Sequence, residues 1–166
     1  LADAFFVAFR IPNTFRRLFS EGTFNAAFVP SYSSEFVKGK DYSNRLASEI
    51  FNFLLLILLT LTLIAQIFMP AFVSLIAPGF VDDVEKMKIA INLTRITFPF
   101  LMLVSLASFF SAILNSHNRF AEAAAAPIIL NIILIIILFL GKSLNDKLVY
   151  YLSYGVTLAG FLQLVF

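Results

Sequence analysis

The sequence has no cysteine and no tryptophan, a single histidine, and charged side chains at only 13% of its 166 positions. Without cysteine there is no disulfide framework, no thiol nucleophile and no thiolate-bound metal. The one histidine, His117, stands in the short polar run Asn115-Ser-His-Asn-Arg119 with no catalytic partner recognisable beside it, and reads as an interfacial loop histidine. Scarce charge combined with 60% apolar residues and a mean hydropathy of +0.92 excludes an ordinary water-soluble globule, which carries about 25% charged and about 45–50% apolar residues. The abundance of Leu, Ile, Val and Phe, with a net charge of only +2, excludes disorder. The 12 Lys/Arg and 10 Asp/Glu are scattered between apolar runs, so the sequence pI of 9.0 marks no basic face for nucleic acid. No phosphate-binding loop of the form G-x-x-x-x-G-K-S/T occurs, no internal repeat is found, and no signal peptide is recognised. Because the chain opens on Leu1 and stops at Phe166 inside an apolar stretch, it is expected to be an internal piece of a longer membrane protein.

What the sequence has in quantity is long uncharged stretches: Ile50–Val81, Ile96–Asn118, Ala123–Gly141 and Leu148–Phe166. A bilayer core of about 30 Å takes about 20 helical residues, and backbone groups inside lipid must be paired within the helix. The expected fold is therefore all-α, a polytopic transmembrane bundle treated as one partial transporter domain over 1–166. Helices are expected at 1–36, 46–77, 83–116, 122–141 and 147–166, truncated at both ends. Short connections make sequential helices antiparallel neighbours. Lys38, Lys40, Arg45 and Arg119 balance Lys86, Lys88, Lys142 and Lys147 across the two sides, so charge alone sets no orientation. Asp82 to Glu85 has the spacing of a capping box before the third span, and Asp82-Asp83-Val84-Glu85 reads as a solvated cap rather than a metal site.

The opening segment, 1–36, breaks the pattern. It is aromatic and apolar, yet carries Asp3, Arg10, Arg16, Arg17 and Glu21. Each charge at the centre of a span costs about 2.5–3.5 kcal/mol, whereas each Leu, Ile, Val or Phe returns only about 0.3–0.6 kcal/mol, which excludes a lone lipid-exposed helix. At 100° per residue Asp3, Arg10, Asn13, Thr14, Arg17, Glu21 and Asn25 fall within about a third of the circumference. Arg16 and Ser20 flank this stripe, and Pro12 can rotate one half against the other, so periodicity leaves Arg16 and Arg17 both open as the inward residue. Two readings compete: a structural Arg17–Glu21 pair at i,i+4 spacing, and a hydrated cavity lined by cations that receives an anion. Glu21 neutralises one arginine and not three, and guanidinium binds phosphate bidentately while staying charged, which favours the cavity. Asp3 and Glu21 would then hold the guanidinium groups in place between ligands.

The run from Asp3 to Pro30, DAFFVAFRIPNTFRRLFSEGTFNAAFVP, closely resembles the second transmembrane helix of the MurJ/MviN family of lipid II flippases. Ala77-Pro-Gly-Phe80, Thr97-Phe-Pro99 and Ala112-Ile-Leu-Asn-Ser-His-Asn-Arg-Phe120 extend the resemblance over essentially the whole chain. It implies about five of some fourteen helices of an inverted-repeat exporter fold. It further implies a multi-pass protein of the bacterial inner membrane that moves lipid-linked peptidoglycan precursor from the inner to the outer leaflet by alternating access. The partner implied is lipid II or a related polyprenyl-pyrophosphate glycolipid within the membrane lipids, with no nucleic acid and no cofactor or metal. Carried over residue by residue, the family's aspartate matches Asp3, its cavity arginine Arg16, the following acid Glu21, a basic position Arg10, and its Pro-Asn motif Asn13. The resemblance favours Arg16 where periodicity favours Arg17, so both are candidates with Arg10 and Asn13 for substrate binding. It also places 38–45 and 117–119 in the cytoplasm.

Alternatives are another polyprenyl-linked oligosaccharide or drug exporter of the same superfamily, and a membrane enzyme acting on polyprenyl phosphates. The enzyme is disfavoured because its general base or Mg²⁺-holding carboxylates are not recognisable. A membrane scaffold or channel subunit would leave the first-segment arginines dispensable. Arg95 is read as an interfacial residue with a second cavity cation as alternative, and Gln66, Thr60 and Thr62 as interhelical hydrogen-bonding groups.

Overall fold

The computed structural model describes residues 1–20, 23–141 and 147–166, and excludes the side chains at 11, 15–20, 23 and 25. The described residues form eight α-helices and no strand: α1 (Ala2–Ser20), α2 (Thr23–Lys38), α3 (Lys40–Ile67), α4 (Met69–Ile76), α5 (Val84–Thr97), α6 (Pro99–Ser116), α7 (Phe120–Leu140) and α8 (Leu148–Val165). A 3₁₀ turn, Pro78–Phe80, lies between α4 and α5.

Four stretches are long and apolar enough to cross a membrane: α3, the 33-residue α5–α6 pair Val84–Ser116, α7 and α8. Their breaks have local causes. Gly39 adopts φ 142°, a left-handed value that only glycine takes at little cost, and turns the chain from α2 into α3. The helix resumes at once at Lys40, earlier than the expected 46, and an Arg45–Glu49 pair at 2.9 Å lies on its exposed first turns. At Phe68 the chain bends between α3 and α4, because Pro70 has no amide to continue the ladder. Pro99 does the same between α5 and α6, so the 83–116 helix is observed as two. The cap of α5 is Asp83, whose Oδ1 accepts from the Lys86 amide at 3.0 Å. The cap is thus one residue later than the Asp82–Glu85 spacing suggested, since the helix begins at Val84, and it is a single N-cap bond rather than a reciprocal box.

The α5–α6 span is the centre of the bundle, with α1, α8, α3, α2 and α7 packed around it. Ala4 and Ala8 of α1 are buried with Ala90 and Leu93 of α5, and Phe28 and Tyr32 of α2 with Phe109 and Ala112 of α6. Small residues let helices approach where lipid gives little hydrophobic drive to associate. Gly160 shows this for α8: a Cβ there would come within 2.6 Å of the Phe100 ring and 3.1 Å of Leu103. Large apolar side chains of α3 and α7, such as Phe53, Ile67, Ile135 and Phe139, point outward, as lipid-facing surfaces do.

Candidate functional site

Helix α1 has two unlike faces. Ala4, Ala8 and Pro12, one turn apart, are buried against the rest of the bundle. Residues 1 and 4 border Glu85 and Ile89, and Ala8 meets Thr97, so α1 and α5 run parallel. The contact at Ala8 is a hydrogen bond: Thr97 Oγ1 donates to the Ala8 carbonyl at 2.8 Å. That carbonyl is the one whose helical donor would be residue 12, a proline, so Thr97 satisfies an acceptor that Pro12 frees. Register and tilt of α1 are thereby pinned at mid-helix.

With that face sealed, the opposite one is open. Asp3, Arg10 and Thr14 are exposed and Asn13 is half-buried; these are the described members of the polar stripe expected from helical periodicity, and Arg17, Glu21 and Asn25 lie outside the described side chains. Thr14 Oγ1 donates to the Arg10 carbonyl at 2.9 Å, tying its own polarity into the helix. Among the described residues neither Asp3 nor Arg10 forms an ion pair with another side chain. The structure thus brings Asp3, Arg10 and Asn13 to one side of α1. The side chains of Arg16 and Arg17, and Glu21 altogether, lie outside the described residues.

Elsewhere the polar residues resolve into structural roles. Gln66 Nε2 donates to the Arg95 carbonyl at 2.9 Å, an acceptor left over because Pro99 lacks an amide, and so joins α3 to α5 as expected of an interhelical group. Thr62 departs from that expectation: its hydroxyl donates to Leu58 of its own helix at 2.7 Å, the carbonyl always within reach of a helical threonine. Thr60 is exposed. His117 caps the end of α6, and its Nε2 lies 3.3 Å from the Tyr32 hydroxyl, with the Phe36 ring edge-on at 5.0 Å. This contact ties the C-terminal half of α2 to the end of α6, a link that sequence reading did not show. Thr97 was missed as well, since only its position beside Pro99 marked it.

A bundle that is helical throughout its described residues, with four stretches long and apolar enough to cross a membrane, defines a polytopic membrane protein. Comparison with known proteins makes this specific. The family model described as lipid II flippase MurJ matches residues 1–166, and the chain belongs to that family. The "Probable lipid II flippase MurJ" of Rhizobium tropici is 46% identical over 99% of this chain, and that of Rickettsia prowazekii (strain Madrid E) 38% identical over 100%. A solved structure, a lipid II flippase MurJ in an inward closed conformation, superposes with a TM-score of 0.84 at 29% identity over 99% of the chain. The chain spans 32% of the length of those two relatives and 34% of the solved chain. It is a multi-pass protein of the bacterial inner membrane.

Proposed function

We propose that this chain is the part of a lipid II flippase that presents cations to the substrate's diphosphate, and that the polar face of α1 lines the path. The observation that carries the reading is the two-sided character of α1. Ala4, Ala8 and Pro12 seal one side, while Asp3 and Arg10 stand exposed on the other. A charged helix inside a membrane protein is costly unless its charges meet water, counter-charge or ligand. The names of its relatives supply a ligand, lipid II, and the family resemblance implies a polyprenyl diphosphate, which has the right sign.

In this mechanism Arg10, Arg16 and Arg17 replace part of the diphosphate's hydration, and Asn13 adds a hydrogen-bonding group. Carrying a diphosphate through hydrocarbon unaided is prohibitive because of the Born cost of its charge. Guanidinium forks lower that barrier by binding oxygens bidentately without themselves losing charge. Asp3, which forms no ion pair among the described residues, and Glu21 offset part of the arginines' positive charge along this face. Rocking of two lobes then exposes the site to each side in turn while the polyprenyl tail stays in lipid. The chemistry is transport, not bond making.

The test is genetic and uses the full-length protein. Arg16→Ala and Arg17→Ala, singly and together, are expected to abolish rescue of a flippase-depleted strain while immunoblots show normal insertion. Full rescue by both single variants and by the double variant would refute the cationic path.

A further inference from the structure

We propose that a groove between α4 and the outer face of α5 binds an anionic phospholipid, with Lys88 and Arg95 holding its headgroup phosphate. This site is separate from the α1 face and does not rest on the flippase reading. The groove has a volume of about 470 Å³, and its polar edge is Lys88, Asn92 and Arg95. These positions, at i, i+4 and i+7, share one side of α5. Thr94 and Thr97, which are buried, point elsewhere, Thr97 toward α1.

The position of Arg95 makes the pair unusual. It is exposed near the end of α5, immediately before the uncharged stretch that begins at Ile96. A cation beside a stretch apolar enough to cross a membrane calls for a partner, and no carboxylate lines the groove. The nearby Lys86 pairs with Asp83 at 3.5 Å, but among the described residues neither Lys88 nor Arg95 has an acidic partner. Gln66 bonds only the Arg95 carbonyl, fixing the turn and leaving the guanidinium available. Both cations line the same groove, and the wall beside them is apolar: Pro70, Val84, Met87 and Ile91. Val84 is 80% exposed beside them. Cations beside exposed apolar surface match one anionic lipid, headgroup and tail together.

The experiment is native mass spectrometry of the full-length protein with equal phosphatidylglycerol and phosphatidylethanolamine, alongside a Lys88→Gln/Arg95→Gln variant. The expected result is retained phosphatidylglycerol in the parent and at least an about tenfold loss in the variant, with phosphatidylethanolamine retention unchanged. Lys88→Arg should keep the lipid, and soluble glycerol phosphate should not displace it. Equal phosphatidylglycerol retention by parent and double variant would overturn the proposal, as would displacement by glycerol phosphate alone. Should the double variant fail to fold, a photoactivatable phosphatidylglycerol decides the matter on the parent. Adducts on 84–95 support the site, whereas no adduct there, or contact of this face with another segment of the protein, overturns it.

Discussion

Each proline inside a span removes an amide donor and leaves the carbonyl four residues earlier without its helical partner. Side chains from other helices repair two such places here: Thr97 at the Ala8 carbonyl freed by Pro12, and Gln66 at the Arg95 carbonyl freed by Pro99. Thr97 is fully buried, so Thr97→Val leaves an acceptor unpaired in a dry interface. It is expected to lower stability in detergent by about 1–2 kcal/mol, with Thr97→Ser near the parent value. An unfolding curve for Thr97→Val that overlays the parent's would show that the bond contributes nothing. The prolines were plain in the sequence, but their partners were not equally so. An amide such as Gln66 cannot be left unpaired in lipid and reads as an interhelical group, whereas Thr97 and Ala8 are 89 positions apart and no local pattern joins them. Thr62 misled for the opposite reason, having an acceptor in its own helix.

Among the helices, α5 has the clearest start signal. The Lys86 amide donating to Asp83 holds that carboxyl below its ordinary value of 3.8, with the Lys86 side chain adding to the effect. A lowered carboxyl value means the cap is complete above the ordinary value and is lost as pH falls through the lowered one. After correction for intrinsic rates, amide exchange over 84–88 is therefore expected to speed up only in acid below about pH 3.8. Asp83→Asn should keep the cap and abolish that pH dependence; an equally pH-dependent Asp83→Asn would exclude Asp83 as the cause. The spans themselves were legible because the bilayer imposes length and uniform apolarity on α3, α7 and α8. Their inner breaks were legible only in part. Pro99 marked a site of strain, but whether a proline kinks a helix or separates two depends on neighbours such as Gln66 that hold the loosened turn.

The assembled bundle explains why the same stripe of charge reads differently in sequence and in space. Periodicity placed Asp3, Arg10 and Thr14 on one face, and packing of Ala4 and Ala8 on α5 turns that face away from the core. Helix spacing alone could not say which neighbour seals α1, because Thr97 of α5 is 89 positions from the Ala8 it meets. Arg95 shows the converse. It was read as interfacial, and its place beside Lys88 in an apolar groove emerges only from the way α4 folds back beside α5. The chain covers a third of its relatives' length, so the surroundings of the α1 face belong to the full protein. Water access settles what they are. This chain contributes no cysteine, and single cysteines at 3, 10, 14, 4 and 8 can be placed in a full-length protein stripped of other thiols. A hydrophilic maleimide applied to membranes is expected to label positions 3, 10 and 14, with added lipid II slowing the reaction at 10, and to spare 4 and 8. If 10 and 14 resist the reagent as 4 and 8 do, the face is dry and the proposed diphosphate path is wrong.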